Sequence, residues 1–276
     1  MEITYSRHMD LVYHALAYLK VDNASDCYCP NYISKIAVEK RDFDYDIAPN
    51  IELLREYYNR NFQRLAAINF LPFFCDSFDE MKDMLLNFEG FAPDDLQYFI
   101  NPFVEILDKE SAFYFSYWDA LHTNSEDMRC ALAEQLEISF AKFACVLDYF
   151  GQPVQVALSH SITRNGRGCG TEDGFFALAP VRDDFSQVFF TLFHEITHGL
   201  TDELLQDINM EDGSHALSET MVILADYYLV KAITPEDARR YLQWMESPSE
   251  SAFLSEHRLD QEMNEKLQCL IRLLRE

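Results

Sequence analysis

The tightest constraint on how this chain folds lies between Asp184 and Leu200. There Val188, Phe189, Leu192, Phe193, Ile196 and Leu200 recur at helical spacing. No Pro or Gly interrupts the run before Gly199, and Asp184 or Ser186 is placed to cap its start. Embedded in that helix is His194-Glu195-Ile196-Thr197-His198. Residues four apart on a helix share one side, one turn above the other, so both imidazoles point the same way. Two such rings can reach one Zn²⁺, and a Glu next to the first His then sits beside a metal-activated water.

A zinc site that acts on a substrate takes three protein ligands and keeps one position for water. Beyond the polar connection 207–213, a second helical pattern begins at Ser214. It runs through Leu217, Met221, Val222, Leu224 and Ala225 to Val230. Glu219 falls inside this apolar pattern, where a carboxylate is costly unless a cation pairs with it. Asp226, seven residues on, lies on nearly the same face, placed to orient a ligand imidazole through its second ring nitrogen. His215, one turn before Glu219, is a rival third ligand.

At the level of residues, His194-Glu-Ile-Thr-His198-Gly-Leu-Thr-Asp202 resembles the active-site helix of thermolysin-like metallopeptidases. Ala216-Leu217-Ser218-Glu219 resembles the segment that carries their glutamate ligand. The family is the gluzincins, and the resemblance is limited to the zinc-site core between Phe189 and Ala225. It implies one Zn²⁺ held by His194, His198 and Glu219, with Glu195 as general base in the hydrolysis of a peptide or protein substrate. It also implies a small sheet whose edge strand pairs with extended substrate. Position nominates Phe175, Phe176, Ala177 and Leu178, in the last strand before the zinc helix.

The tetrahedral oxyanion of such a reaction wants a further donor. Tyr227, Tyr228, His257 and His160 are the candidates; His257 is favoured because the related enzymes bring a His from further along the chain. Asp202, one turn beyond His198, is placed to orient it. Two positions depart from the patterns of related peptidases. Ile223 stands where gluzincins often carry an Asp, leaving Asp226 as the nearest acid. Thr201 and Leu204 stand where the metzincin branch needs Gly and His, so that branch is disfavoured.

Residues 1–151 read as helix after helix. Patterns run from Met9 to Lys20, Asn31 to Lys40, Asn50 through Ile68, and Ser77 to Gly90, the last opened by the capping box Ser77-Phe-Asp-Glu80. Others run from Asp94 to Lys109, Ser111 to Leu121 and Ser125 to Phe150. From Pro153 the pattern changes. Val154–Leu158 and Phe175–Ala179 read as strands, with the glycine-rich run 163–170 between them as a mobile hairpin loop. Those glycines precede a strand and no helix, so a phosphate-binding reading is discounted. Thr234-Pro235 opens another helix, and Ser251 to Leu274 forms the last. The expectation is an α+β, mostly α chain. A helical N-terminal region (1–151) is followed by a zincin-like core (152–276) of small sheet, active-site helix and Glu-ligand helix.

Composition closes off other classes. A formal net charge of −25 repels nucleic acid phosphates and anionic membranes, and no run of 18 apolar residues exists. The first residues lack a basic segment leading into an apolar one, which points to a cytoplasmic protein. Seven scattered cysteines, an odd number, read as reduced thiols, and the spacing of Cys27 and Cys29 does not suit a zinc knuckle. Nothing in the sequence signals an oligomeric state. The competing reading is a zinc-binding or pseudo-peptidase helical protein that serves as a partner-binding module. Glu195 weighs against it, since a structural zinc site is closed by four ligands and needs no base.

Overall fold

The computed structural model of the chain describes residues 3–21, 32–40, 50–163, 165–171, 174–205 and 214–275, with backbone alone at Glu203, Ser214 and His215. Expectations for Cys27, Cys29, the connection 207–213 and the side chain of His215 therefore fall outside the described residues. The chain is mostly helical with one small mixed sheet. It divides into two compact units. One is Tyr5–Glu126 with Leu158–Asn165; the other is Met1–Thr4, Asp127–Ala157 and Gly166–Glu276. No described helix is long and apolar enough to cross a membrane.

The unit built on Tyr5–Glu126 centres on α1 (Arg7–Leu19), capped by Ser6, whose hydroxyl accepts from the Met9 N–H. Eleven of its thirteen residues are buried, so α1 is wrapped on all sides. Its polar residues are correspondingly paired. His8 Nε2 lies 2.8 Å from the Cys75 carbonyl. The Asp10 carboxylate accepts from Trp118 Nε1 (2.6 Å), the His160 N–H (3.0 Å) and the Ser159 hydroxyl. His14 sits 3.0 Å from both the Tyr32 hydroxyl and Glu110, whose other oxygen takes Lys40 Nζ at 2.5 Å.

Around α1 lie α2 (Tyr32–Glu39), α3 (Ile51–Arg60), α4 (Phe78–Asn87) and α5 (Asn101–Asn124). The helix expected from Asn50 to Ile68 breaks at Asn61. Its side chain donates to the Tyr57 carbonyl, and short turns follow at Phe62–Leu65 and Ala66–Asn69. Conversely, α5 runs unbroken where two helices were expected. Ser111 turns its hydroxyl to the Asp108 carbonyl and caps nothing.

The second unit carries the sheet, apart from the last two residues of β2, in the order β1 (Ile3–Thr4), β2 (Val154–Ser159), β4 (Gly174–Pro180), β3 (Arg167–Thr171). β1 runs parallel to β2 with Ile3 opposite Val156, and β3 runs antiparallel to β4 with Arg167 opposite Leu178. Two expectations are corrected here. Arg167–Thr171 is a strand and no loop, and it takes the sheet edge. Phe175, Phe176, Ala177 and Leu178 lie in β4, an interior strand with β2 on one side and β3 on the other, so they are not the substrate edge.

The helix expected from Ser125 to Phe150 is two, α6 (Glu126–Lys142) and α7 (Ala144–Tyr149), because Phe143 turns inward against Phe189 and Phe193 at 5.6 and 4.7 Å. Phe140 joins it at 5.1 Å from Phe189. These contacts bind residues 127–157 to this unit, so the division falls after Glu126 and not at Gly151. The next helices are α8 (Phe185–Leu205), which packs against β3 and β4, and α9 (Ser214–Ile233), which packs against α8. α10 (Ala238–Trp244), α11 (Glu250–Glu256) and α12 (Gln261–Leu273) complete the unit. The last two replace one expected helix, since Asp260 caps α12 by accepting from the Met263 N–H at 2.8 Å.

Candidate metal centre

One face of α8 is apolar because Val188, Phe189, Leu192, Phe193, Ile196 and Leu200 are buried, facing the sheet and the rings of Phe140 and Phe143. That leaves His194 and His198 on the side turned to α9, their rings 4.9 Å apart and nearly perpendicular. Glu219 of α9 faces both. Its Oε2 lies 3.4 Å from His194 Nε2 and its Oε1 lies 3.5 Å from His198 Nε2. The three ligand atoms sit within 4.8 Å of one another, the one such group among the described residues.

An N–H···O hydrogen bond closes to about 2.9 Å. Ligand bonds of ~2.0–2.1 Å at tetrahedral angles hold neighbouring donor atoms roughly 3.3–3.4 Å apart. The two Glu219 separations, 3.4 and 3.5 Å, leave room for the second case. The donor set, two imidazoles and one carboxylate, is that of catalytic zinc. The residues therefore fit the ion, and they are the ones that face each other.

Behind the cluster, Asp226 Oδ2 lies 2.9 Å from His194 Nδ1. Asp226 is fully buried one helical heptad after Glu219, and it also takes the Tyr241 hydroxyl at 3.4 Å. Tyr241 in turn lies 3.0 Å from the Ile223 carbonyl, so α10 holds the aspartate against α8. With Nδ1–H committed to Asp226, Nε2 is the nitrogen that His194 turns to the cluster. Burial disfavours the charged imidazole, but the bonds to Asp226 and Glu219 outweigh it and lift the His194 pKa to about 10. Without a metal the ring is therefore protonated at neutral pH, and a cation bound at Nε2 would replace that proton.

Glu195 is buried at 9 % exposure, and desolvation pushes its carboxyl up to about 7, against the opposing fields of His194 and Arg167. A carboxyl poised there can accept a proton near neutral pH and release it again. Asp202 is exposed, one turn beyond His198, its carboxyl raised by partial desolvation.

Of the four oxyanion candidates, Tyr227 and His257 have partners of their own, and Tyr228 is half-buried on α9 with its ring 5.9 Å from that of Tyr227. The Tyr227 hydroxyl bonds Glu250, which pairs with Lys231 at 2.5 Å, and its ring lies 4.9 Å from Phe253. His257 ends α11 with Nδ1 3.1 Å from the Phe253 carbonyl and its ring 4.7 Å from that phenyl. Neither set of contacts brings its residue to the cluster. His160 belongs to the other unit.

Sequence reasoning missed Tyr241, Trp244 (its ring 6.1 Å from His194) and the glycines Gly166 and Gly168. A signal for the glycines existed: Gly166-Arg-Gly168-Cys-Gly170 alternates with the period of a strand. A scan against protein-family models, a search of curated proteins and a search of solved structures each find no match to this chain.

Proposed function

We propose that this chain is a zinc-dependent peptidase of gluzincin type, with a zincin-like core formed by the sheet, α8 and α9. The observation that carries the reading is the pair of Glu219 contacts at 3.4 and 3.5 Å to two imidazoles of one helix, with Glu195 beside the first.

His194, His198 and Glu219 would hold one Zn²⁺. Bound there, the ion supplies Lewis-acid polarisation of the scissile carbonyl and lowers the pKa of water to about 7. The chain's own residues supply the rest. Asp226 fixes the His194 tautomer. Glu195, desolvated and near its midpoint at neutral pH, takes the proton of the attacking water and hands it to the leaving amine. The outer edge of β3 offers backbone N–H and C=O groups to an extended substrate. A peptide backbone is the natural occupant of such an edge, whose hydrogen bonds lie along it in register.

The test is metal analysis of the purified chain followed by a peptide-library digest with and without chelator. The reading expects about one zinc per chain and cleavage that chelator abolishes and zinc restores. Cleavage indifferent to chelator, or zinc binding without any cleavage, rejects it.

A further inference from the structure

Three glycines, Gly166 just before the edge strand and Gly168 and Gly170 within it, alternate with Arg167 and Cys169. Alternation with period two puts all three on one face. None has a positive φ, so the backbone itself does not demand glycine. Space does. A Cβ on Gly166 would stand 2.7 Å from Glu195 Cγ and 2.9 Å from Glu195 Oε1, and would press on the Leu178 carbonyl oxygen. A Cβ on Gly168 would stand 2.8 Å from the Glu195 carbonyl oxygen and 3.1 Å from the Phe175 ring. At Gly170 the nearest atom is the Phe175 ring at 3.4 Å, an ordinary contact. Crowding is thus confined to the two glycines that cover one residue of α8, and that residue is Glu195.

Resting on the peptidase reading, we propose that Gly166 and Gly168 are positioning residues for Glu195. Their bare face lets β3 lie directly on α8. Gly168 then presses on the backbone of Glu195, and Gly166 lies against its side chain. One rotamer of the carboxylate is thereby held against this glycine face, on the helix turn that carries His194 and His198. A Cβ at 166 meets the Leu178 carbonyl oxygen and the Glu195 side chain, and of the two only the side chain turns freely, so the substitution displaces the base without touching a metal ligand.

The test uses the zinc-loaded chain. For Gly166→Ala, kcat on a cleaved peptide is expected to fall about 10²-fold, the effect of misplacing a reacting group by about 1 Å. KM is expected to stay within about twofold and zinc content at about one per chain, since neither substrate edge nor ligands change. Wild-type kcat in Gly166→Ala overturns the proposal. A second measurement needs no activity. Thermal unfolding of Gly166→Ala is compared in the Glu195 and Glu195→Ala backgrounds, with Gly170→Ala giving the cost of an alanine in this strand without the contact. The Tm loss at 166 shrinks when the Glu195 side chain is removed if the two groups are in contact; an equal loss in both backgrounds overturns the proposal. Should the wild-type chain cleave nothing, the peptidase reading fails, and this cycle decides the placement of Glu195 by itself.

Discussion

Replacing Asp226 by Asn keeps an oxygen for His194 Nδ1 to donate to, but takes one buried negative charge from behind the ring. The bond concerned is 2.9 Å long and charge-assisted. Hydrogen bonds to charged groups contribute about 1.5–3 kcal/mol and neutral ones about 0.5–1.5, so the exchange weakens support of His194 by roughly 1–1.5 kcal/mol. In zinc affinity that is about tenfold. Removing the acid's field from the cation adds to the loss, and changes behind metal-bound histidines reach about 100-fold. The metal-free fold is not expected to lose stability in step. Asp226 is fully buried and its Oδ1 has no hydrogen-bond partner, so the charge stabilises the site more than the fold. The assay is competition with a chelating dye for zinc affinity, and thermal unfolding of the metal-free protein. Affinity unchanged within about twofold would refute the reasoning, because His194 would then bind metal without Asp226, or not at all. A large fall in metal-free Tm would assign Asp226 to the fold.

Three further outcomes are expected. Glu195→Gln should lose about 10²–10⁴-fold in turnover with zinc still bound, read by peptide hydrolysis and metal analysis. Glu110→Ala leaves Lys40 and His14 buried without their carboxylate and should cost about 3–5 kcal/mol in denaturant unfolding of the unit around α1. Asp95 is held down to about 2, chiefly by Arg64, whose Nε and Nη2 bond its two oxygens at 2.9 Å, with the Tyr57 hydroxyl and Ala92 N–H assisting. A depressed carboxyl stabilises the fold above its unfolded pKa and loses that contribution as pH falls toward the folded value. The Tm difference between wild type and Asp95→Asn should therefore be full at pH 5 and shrink from about pH 4 to about pH 2; a difference constant over that range contradicts it.

What could be read from the sequence followed local periodicity. The stripe from Val188 to Leu200 defined α8, and the placement of Glu219 and Asp226 in an apolar helix marked them as inward acids; the geometry brings both to the histidines. Where reading failed, a longer-range contact decided. Phe143 interrupts a helical pattern because the rings of α8 reward turning it inward. Asn61 does so through its own amide. Whether Phe175–Leu178 is edge or interior depends on what pairs beyond it, and β3 was hidden because glycine is depleted in strands. Its alternation was legible, but its cause, the nearness of Glu195, lies in the packing. Tyr241 reaches Asp226 across fifteen residues of chain with no motif to announce it.

The central claim, that His194, His198 and Glu219 grip one catalytic zinc, is met most directly by zinc-edge X-ray absorption on the purified wild-type chain and on Glu219→Ala. The account predicts about one zinc per wild-type chain, with two imidazoles and oxygen donors at ~2.0–2.1 Å, and clearly weaker binding in the variant. A shell with sulfur at ~2.3 Å, or a variant that binds zinc as tightly as wild type, would contradict it.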